Sequence, residues 1–451
     1  MSYGKSLKQE AKYDIALEEL NKVISLSENE EVIKAAEFEA AGIEMLRTIE
    51  PNIETFAKPC DKEINSASGE SSPREHNDGS LYYGSFDRKD EIDVEKDEEF
   101  HQKIFFNTRE SDGQWSDKEA LDQMVNRKEF HNTHLAFSED GRVMYFTRVQ
   151  TTGTDITESV LMVSYLKDSG WSAANRLPTV NGDWYCKHPA VGQLYGQNVL
   201  FFISDMDGGL GGYDIYYSNI LADGQFSAPV NLGPKINTPK DDISPFYYEG
   251  TLYYSTDGRP TIGGYDIFYN IWDGSDWSDA ENMGLVYNSC NDDMFLSFAG
   301  EGNRGYFVSN RETDSKKRLR SKTCCDDIFE FNIMEIVIDL LAIVVNEEEE
   351  PINGATIKLE NLTDAINYPT DIKYNALSNE FQFLLDSDFK YKATITSDGY
   401  ESDTIEFNTA GILDNFTVQK KIILKAIPSE EVTEIVTINQ AIRLNNIYYD
   451  F

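Results

Sequence analysis

The residues of this chain best suited to chemistry are few and scattered. His131 and His134 stand three apart in "HNTHLAFSEDG", a spacing that on a strand sends the two imidazoles to opposite faces and suits a shared metal poorly. Asp205 and Asp207 in "SDMDGG" have the alternate spacing of a calcium loop but lack its later bidentate glutamate. A turn whose aspartates accept from backbone amides is expected there instead. Cys60, Cys186, Cys290, Cys324 and Cys325 contain no CxxC pair, which argues against zinc or thioredoxin chemistry. The vicinal Cys324 and Cys325 read as two loop or strand cysteines. No GxSxG elbow, HExxH helix, P-loop or dinucleotide fingerprint occurs. The glycines of "GGLGGYD", Gly208 to Asp214, open no helix, so no phosphate cradle is expected. On these residues no catalytic group, cofactor or metal ligand is assigned, and the chain is expected not to be an enzyme.

The elements that would position such residues follow from pattern. A length of 451 residues exceeds what one core usually supports, so several domains are expected. The net charge of −39 repels nucleic acid and anionic lipid and favours basic partner surfaces. The apolar run Ile336 to Val345 contains Asp339 and is too short to span a membrane. The opening "MSYGKSLKQEAKYD" has no apolar signal core; taken literally that places the chain in the cytoplasm, unless the start is a truncation.

Residues 1–50 read as helical. "AKYDIALEELNKVISL" sets Tyr13, Ala16, Leu17, Leu20 and Ile24 on one stripe, and Ala36, Ala40, Ile43 and Leu46 follow on a second helix that ends before Pro51. One such hairpin cannot bury its own faces, so neighbours are expected.

Residues 55–333 change texture to alternating aromatic and β-branched residues with glycine turns. The phrases "LYYGS", "MYFTR", "LFFIS", "LYYST" and "GYFVS" begin at Leu81, Met144, Leu200, Leu252 and Gly305, at intervals of 63, 56, 52 and 53 residues. A turn marker recurs at Trp115, Trp171, Phe226 and Trp277, and an asparagine at Asn65, Asn126, Asn181, Asn237 and Asn288. Three markers in constant order at this period predict four-stranded blades of a β-propeller. Five blades are counted, or six if the two ends of the region close another. Asp214 and Asp266 in the repeated "GGYD" are expected to bond backbone amides of their turn.

Residues 334–427 predict a small β-sandwich, residues 428–440 a linker, and residues 441–451 a strand whose sheet would lie beyond Phe451. The whole chain is therefore mainly β with a short helical repeat at its start.

The order of these parts resembles one family. Tyr13, Ala16 and Leu17 resemble a tetratricopeptide repeat, and "SPFYYEGTLYYSTDGRPTIGGYDIFY", Ser244 to Tyr269, resembles the WD40-like repeat of TolB-type propellers. "PINGATIKLEN" and "YKATITSDGYESDTIEF" are similar to a carboxypeptidase-regulatory-like sandwich, and "RLNNIYYDF", Arg443 to Phe451, to the opening strand of OmpA-like domains. Together they resemble outer-membrane lipoproteins of Bacteroidota associated with type IX secretion and gliding motility. The resemblance implies a non-enzymatic scaffold in the periplasm at the outer membrane. Envelope proteins would dock on the helical repeat and propeller mouth, and peptidoglycan would be held only by the missing OmpA-like domain. Both ends then read as cut.

The rival reading is a glycan-binding or glycan-cleaving propeller. "SDGQWS" at Ser111 resembles the aspartate boxes of sialidases. Those enzymes need an arginine cluster and a tyrosine nucleophile. No spacing gathers Arg74, Arg88, Arg109, Arg127, Arg142, Arg148, Arg176, Arg259, Arg304, Arg311, Arg318 and Arg320. Exposed Tyr and Trp rings at an aromatic mouth suit sugar stacking.

Overall fold

The structure is a computed structural model that describes residues 1–49, 55–66, 68–86, 101–110, 113–222, 224–312, 326–333, 337–363, 368–386, 389–410, 412 and 415–428. Cys324 and Cys325, most of the linker and the final strand expected at 441–451 lie outside the described residues. The chain forms two compact units, Met1–Glu335 and Ile336–Phe451.

The first unit opens with α1 (Ser2–Gln9), α2 (Tyr13–Leu26) and α3 (Glu30–Leu46). Asn29 caps α3 by accepting from the N–H groups of Glu31 and Val32, and Glu30 and Glu31 complement the positive end of the helix dipole. Leu7, Ala16, Leu17, Leu20, Ala36 and Ile43 form the helical core. The neighbour that the hairpin needs is supplied by the chain itself. A Cβ on Gly42 would lie 2.0 Å from the Thr261 carbonyl oxygen, so α3 lies directly on the Thr261 turn. Lys8, 2% exposed, holds Glu39 at 2.8 Å and reaches the Thr261 hydroxyl at 3.3 Å.

The described residues between 55 and 333 build five sheets of a β-propeller-like fold. Sheet 1 runs Glu70–Glu75, Leu81–Phe86, Gln102–Asn107, Glu119–Ala120, and sheet 2 His131–Phe137, Val143–Thr152, Asp155–Lys167, Asn175–Arg176. Gly170–Trp171 adds a short pairing to sheet 2. Sheet 3 runs Cys186–Leu194, Gln197–Ser204, Asp214–Asn219, Val230–Asn231, and sheet 4 Asp242–Tyr248, Thr251–Thr256, Asp266–Ile271, Glu281–Asn282. Sheet 5 runs Asp293–Ala299, Arg304–Ser309, Asp327–Ile333 and takes its outer strand, Thr55–Pro59, from the start of the region.

Each sheet packs on the next through its own apolar cluster, and sheet 5 packs back on sheet 1 through Leu81, Tyr83, Tyr306 and Val308. The second strand of each sheet is thus covered on both faces. In sheet 1, Tyr83 faces sheet 5 and Tyr82 faces sheet 2. That double cover explains why "LYYGS" and its repeats are continuously apolar instead of alternating.

The recurring asparagine has a structural job. Asn65, Asn126, Asn181, Asn237 and Asn288 each accept from the N–H and donate to the C=O of one third-strand residue: Ile328, Ile104, Leu161, Ile215 and Ile267. Each side-chain amide so stands in for one rung of a ladder and satisfies two backbone groups of a sheet. Asp214 accepts from the N–H of Leu210 and Gly211, and Asp266 from Ile262 and Gly263. The glycines beside them are needed for space: a Cβ on Gly211 would meet the Lys240 carbonyl oxygen at 2.0 Å. The serine after each turn aromatic accepts an N–H from the end of the third strand or the residue just after it, as Ser116, Ser172, Ser227 and Ser278 do from Thr108, Tyr165, Asn219 and Ile271. Those turns are therefore hairpin locks.

The second unit pairs Ile338–Val345 with Glu380–Leu385 and, in parallel, with Phe416–Ile423. A four-stranded sheet holds Asp371–Asn375, Ala355–Asn361, Lys390–Thr396 and Asp403–Asn408. Alternate residues such as Leu340, Ile357, Phe383 and Ile395 share one core, the half-buried alternation of two stacked sheets.

Candidate functional site

The first strand of every sheet skips a rung against the second: at Ser71–Arg74, Thr133–Leu135, Lys187–Ala190, Ile243–Phe246 and Met294–Ser297. At each skip stands one non-glycine residue in the left-handed region: Ser72, His134, His188, Ser244 and Phe295, with φ of 50°, 49°, 50°, 51° and 55°. Each such residue costs about 1 kcal/mol or more, and a bulge re-aims its side chain. Because the first strands adjoin one another in a cycle, three of these side chains meet. The His134 and His188 rings lie 4.2 Å apart, and both contact Phe295, at 5.1 and 4.9 Å.

A cavity of about 470 Å³ is lined by His131, His134, His188, Phe86, Thr133 and Lys187, with Gln102, Thr151 and Thr154 adding amide and hydroxyl groups. Sheets 1, 2 and 3 contribute to it. Phe86 and Gln102 flank residues 87–100, which lie outside the described residues. No carboxylate is among the described residues of its wall. His131 and His134 were expected on opposite faces of a strand. The bulge between Thr133 and Leu135 changes the parity, and both line the cavity. Among the described residues no group of three or more His, Cys, Asp or Glu is placed to hold a metal ion.

The imidazoles are neutral. Burial, then the charges of His101 and Lys103, hold His131 down at about 4, and burial, then Lys187, holds His134 at about 3. Burial, then His134, pushes His188 well below its ordinary value. The Gln102 N–H donates to His131 Nδ1 and the Ser244 N–H to His188 Nδ1, both at 3.1 Å. A neutral ring that accepts at Nδ1 carries its proton on Nε2, so His131 and His188 offer one N–H donor each. The buried Nδ1 of His134 has no hydrogen-bond partner. The Lys187 ammonium donates to the Tyr213 hydroxyl at 2.9 Å and lies 4.5 Å from that ring's centre. Burial lowers its affinity for a proton, against the pull of Asp205 and Asp241.

The other candidates have structural roles. Asp205 accepts from the Tyr185 N–H at 2.8 Å. Of the described arginines, Arg109 and Arg304 meet at the Tyr306 hydroxyl, at 3.4 and 3.3 Å, and both are paired with carboxylates. Arg304 binds Glu75 through both terminal nitrogens at 2.6 Å, Arg109 pairs with Glu330, and Arg176 with Glu158. A second cavity of about 130 Å³ lies between the helices and sheet 4, where Lys5 and Lys8 neutralise Glu39 and Lys240 pairs with Asp257. Each of its charged side chains is held in an ion pair, so it reads as a joint between elements.

Sequence reasoning missed His188 and Phe295. Pro73, Pro189 and Pro245 follow three of the five bulge residues, and proline inside strand-like text is a mark of a bulge.

No protein-family model and no curated protein matches the sequence. Among solved structures, the fold is similar to an alpha-L-arabinofuranosidase from Lactobacillus brevis, with 14% identity, a TM-score of 0.38, and 64% of this chain and 95% of that one covered. It is similar in the same degree to a thermostable family-43 glycoside hydrolase, with 13% identity, a TM-score of 0.38, and 59% and 90% covered. A 3-chlorocatechol 1,2-dioxygenase from Rhodococcus opacus 1CP matches over 20% of this chain and 61% of its own, with 11% identity and a TM-score of 0.17. Two of these are glycoside hydrolases, and that finding corrects the expectation of a non-enzyme, which is not carried further. At these TM-scores the likeness gives this chain no activity, substrate or site residue.

Proposed function

We propose that the five sheets are the blades of one closed propeller and that the cavity at their first strands binds a glycan. One observation carries the reading: five strained bulges, three of which bring ring faces together beside a cavity of about 470 Å³. Apolar ring faces set among a few directed donors are the lining that a sugar requires, since its C–H face stacks and its hydroxyls need partners. Phe86 and the imidazoles supply the faces. Thr133, Thr151, Thr154 and Gln102 supply the hydroxyl and amide groups. Strain persists where the surrounding structure over-determines it, as it does at ligand sites.

Isothermal titration of the full chain with a panel of neutral and acidic oligosaccharides tests this. Saturable binding that is lost in His188→Ala is the expected result. Absence of binding across the panel, or binding indifferent to His188 and Thr133 substitutions, would overturn it. Reducing-end release followed in the same samples reads whether binding is accompanied by cleavage.

A further inference from the structure

The described wall of the cavity carries a lysine and no carboxylate, in a chain of net charge −39. Lys187 stands in its wall. Three more cations stand on sheets 1 and 2, which border it, and among the described residues each is bonded only to neutral oxygens. Arg148 donates to the Asn132 side-chain oxygen and the Val125 carbonyl, both at 2.8 Å. Lys103 donates to the carbonyls of Arg127 and Phe130, at 2.8 and 2.7 Å. Arg74 donates to the carbonyls of Pro73 and Leu296. Among the described residues none of the four has a carboxylate within ion-pair distance, whereas Arg304, Arg109, Arg176 and Arg311 all do.

Three of the four act on the cavity histidines. Arg74 and Lys187 are felt by both His134 and His188, and Lys103 by His131. Burial lowers Arg74 to about 9, Arg148 to about 10 and Lys103 to about 8. Desolvated cations with no ion pair among the described residues are costly, and an anion entering the cavity relieves that cost. Asp205 and Asp241 act on Lys187 without an ion pair to it; they accept from the backbone N–H groups of Tyr185 and Tyr213, and Asp241 also from the Tyr265 hydroxyl.

We propose that the ligand of this cavity is an anionic sugar, its carboxylate or sulfate oxygens set toward Lys187 and the Nε2–H groups of His131 and His188. The proposal rests on the glycan reading above and adds the charge of the sugar to it. Neutral imidazoles donate to the anion without having to be protonated, so the site is ready near neutral pH.

The test is isothermal titration of the full chain with three matched ligands: an oligogalacturonide, its methyl ester, and a sulfated oligosaccharide. The free acid should bind at least about tenfold more tightly than the ester, and raising salt from about 0.05 M to 0.5 M should erase most of that preference. The sulfated arm tells whether the site reads anionic oxygens in general or a carboxylate alone. Lys187→Met should bring acid and ester to within about threefold, and Lys187→Arg should keep the preference. The salt series on the native chain stands in if Lys187→Met fails to fold. Equal binding of acid and ester overturns the anionic inference and leaves the glycan reading standing. Failure of all three ligands overturns both.

Discussion

At the residue scale, the asparagine clasps carry much of the repeat. Asn237 is 1% exposed and closes two hydrogen bonds on Ile215. Asn237→Ala leaves a buried N–H and C=O unpaired, so a loss of about 2–4 kcal/mol is expected, read by urea unfolding of the first unit. Asn237→Asp should be at least as harmful, because a carboxylate cannot donate to the Ile215 carbonyl. A loss below about 0.5 kcal/mol in both would show that the clasp is dispensable. Glu70 gives a pH signature. Burial pushes its carboxyl up to about 8, against hydrogen bonds from Ser66 and Ser85. Its folded value lies above the ordinary 4.5, so the stability it contributes is lost as pH rises through that window. His131 and His134 act in the opposite sense, losing stability as pH falls from about 6.5 toward their depressed values. Glu70→Gln isolates the first effect: its melting temperature should gain on the native chain as pH is raised from about 5 to 9. A constant offset across that range would mean that Glu70 is not held protonated. The asparagines were visible in the sequence as markers, but a spacing does not say which backbone groups an amide will satisfy.

At the element scale, strand order was legible and strand irregularity only in part. The period of the aromatic phrases located the second strands because these are apolar on both faces. Three bulges are marked by the prolines after Ser72, His188 and Ser244, but those at His134 and Phe295 are followed by leucine and carry no such mark. The helices show the same division. Their stripes were readable, yet the partner face was hidden in Gly42, whose missing side chain lets α3 touch Thr261. Gly42→Ala should undock the helices while raising their intrinsic helicity. Hydrogen exchange should then show lost protection at Lys8 and in Ser2–Leu46 with the five sheets unchanged. Unaltered protection there would mean that the contact yields without cost. Removing Thr55–Pro59 should instead destabilise the sheets, because it strips sheet 5 of its outer strand and exposes the Asp327–Ile333 edge. Native-like melting of a chain starting after Pro59 would contradict that closure.

At the scale of the whole molecule, the two units each bury a core of their own, and residues 337–428 should fold when expressed alone, as a single cooperative transition by circular dichroism. The proposed function lies with the first unit, where sheets 1, 2 and 3 meet at one cavity. The chain has five histidines, which makes that convergence directly observable. Three of them, His131, His134 and His188, line the cavity. His76 does not: it bonds the Gly141 carbonyl and packs against Phe137. The most direct measurement is an imidazole nitrogen-15 spectrum of the histidine-labelled chain, titrated with the oligosaccharide that binds most tightly. The account predicts saturable shifts of the three cavity histidines with one common affinity, and a stationary His76. Saturable binding that leaves all three cavity resonances in place would put the sugar elsewhere and contradict the assignment of this cavity as the glycan site.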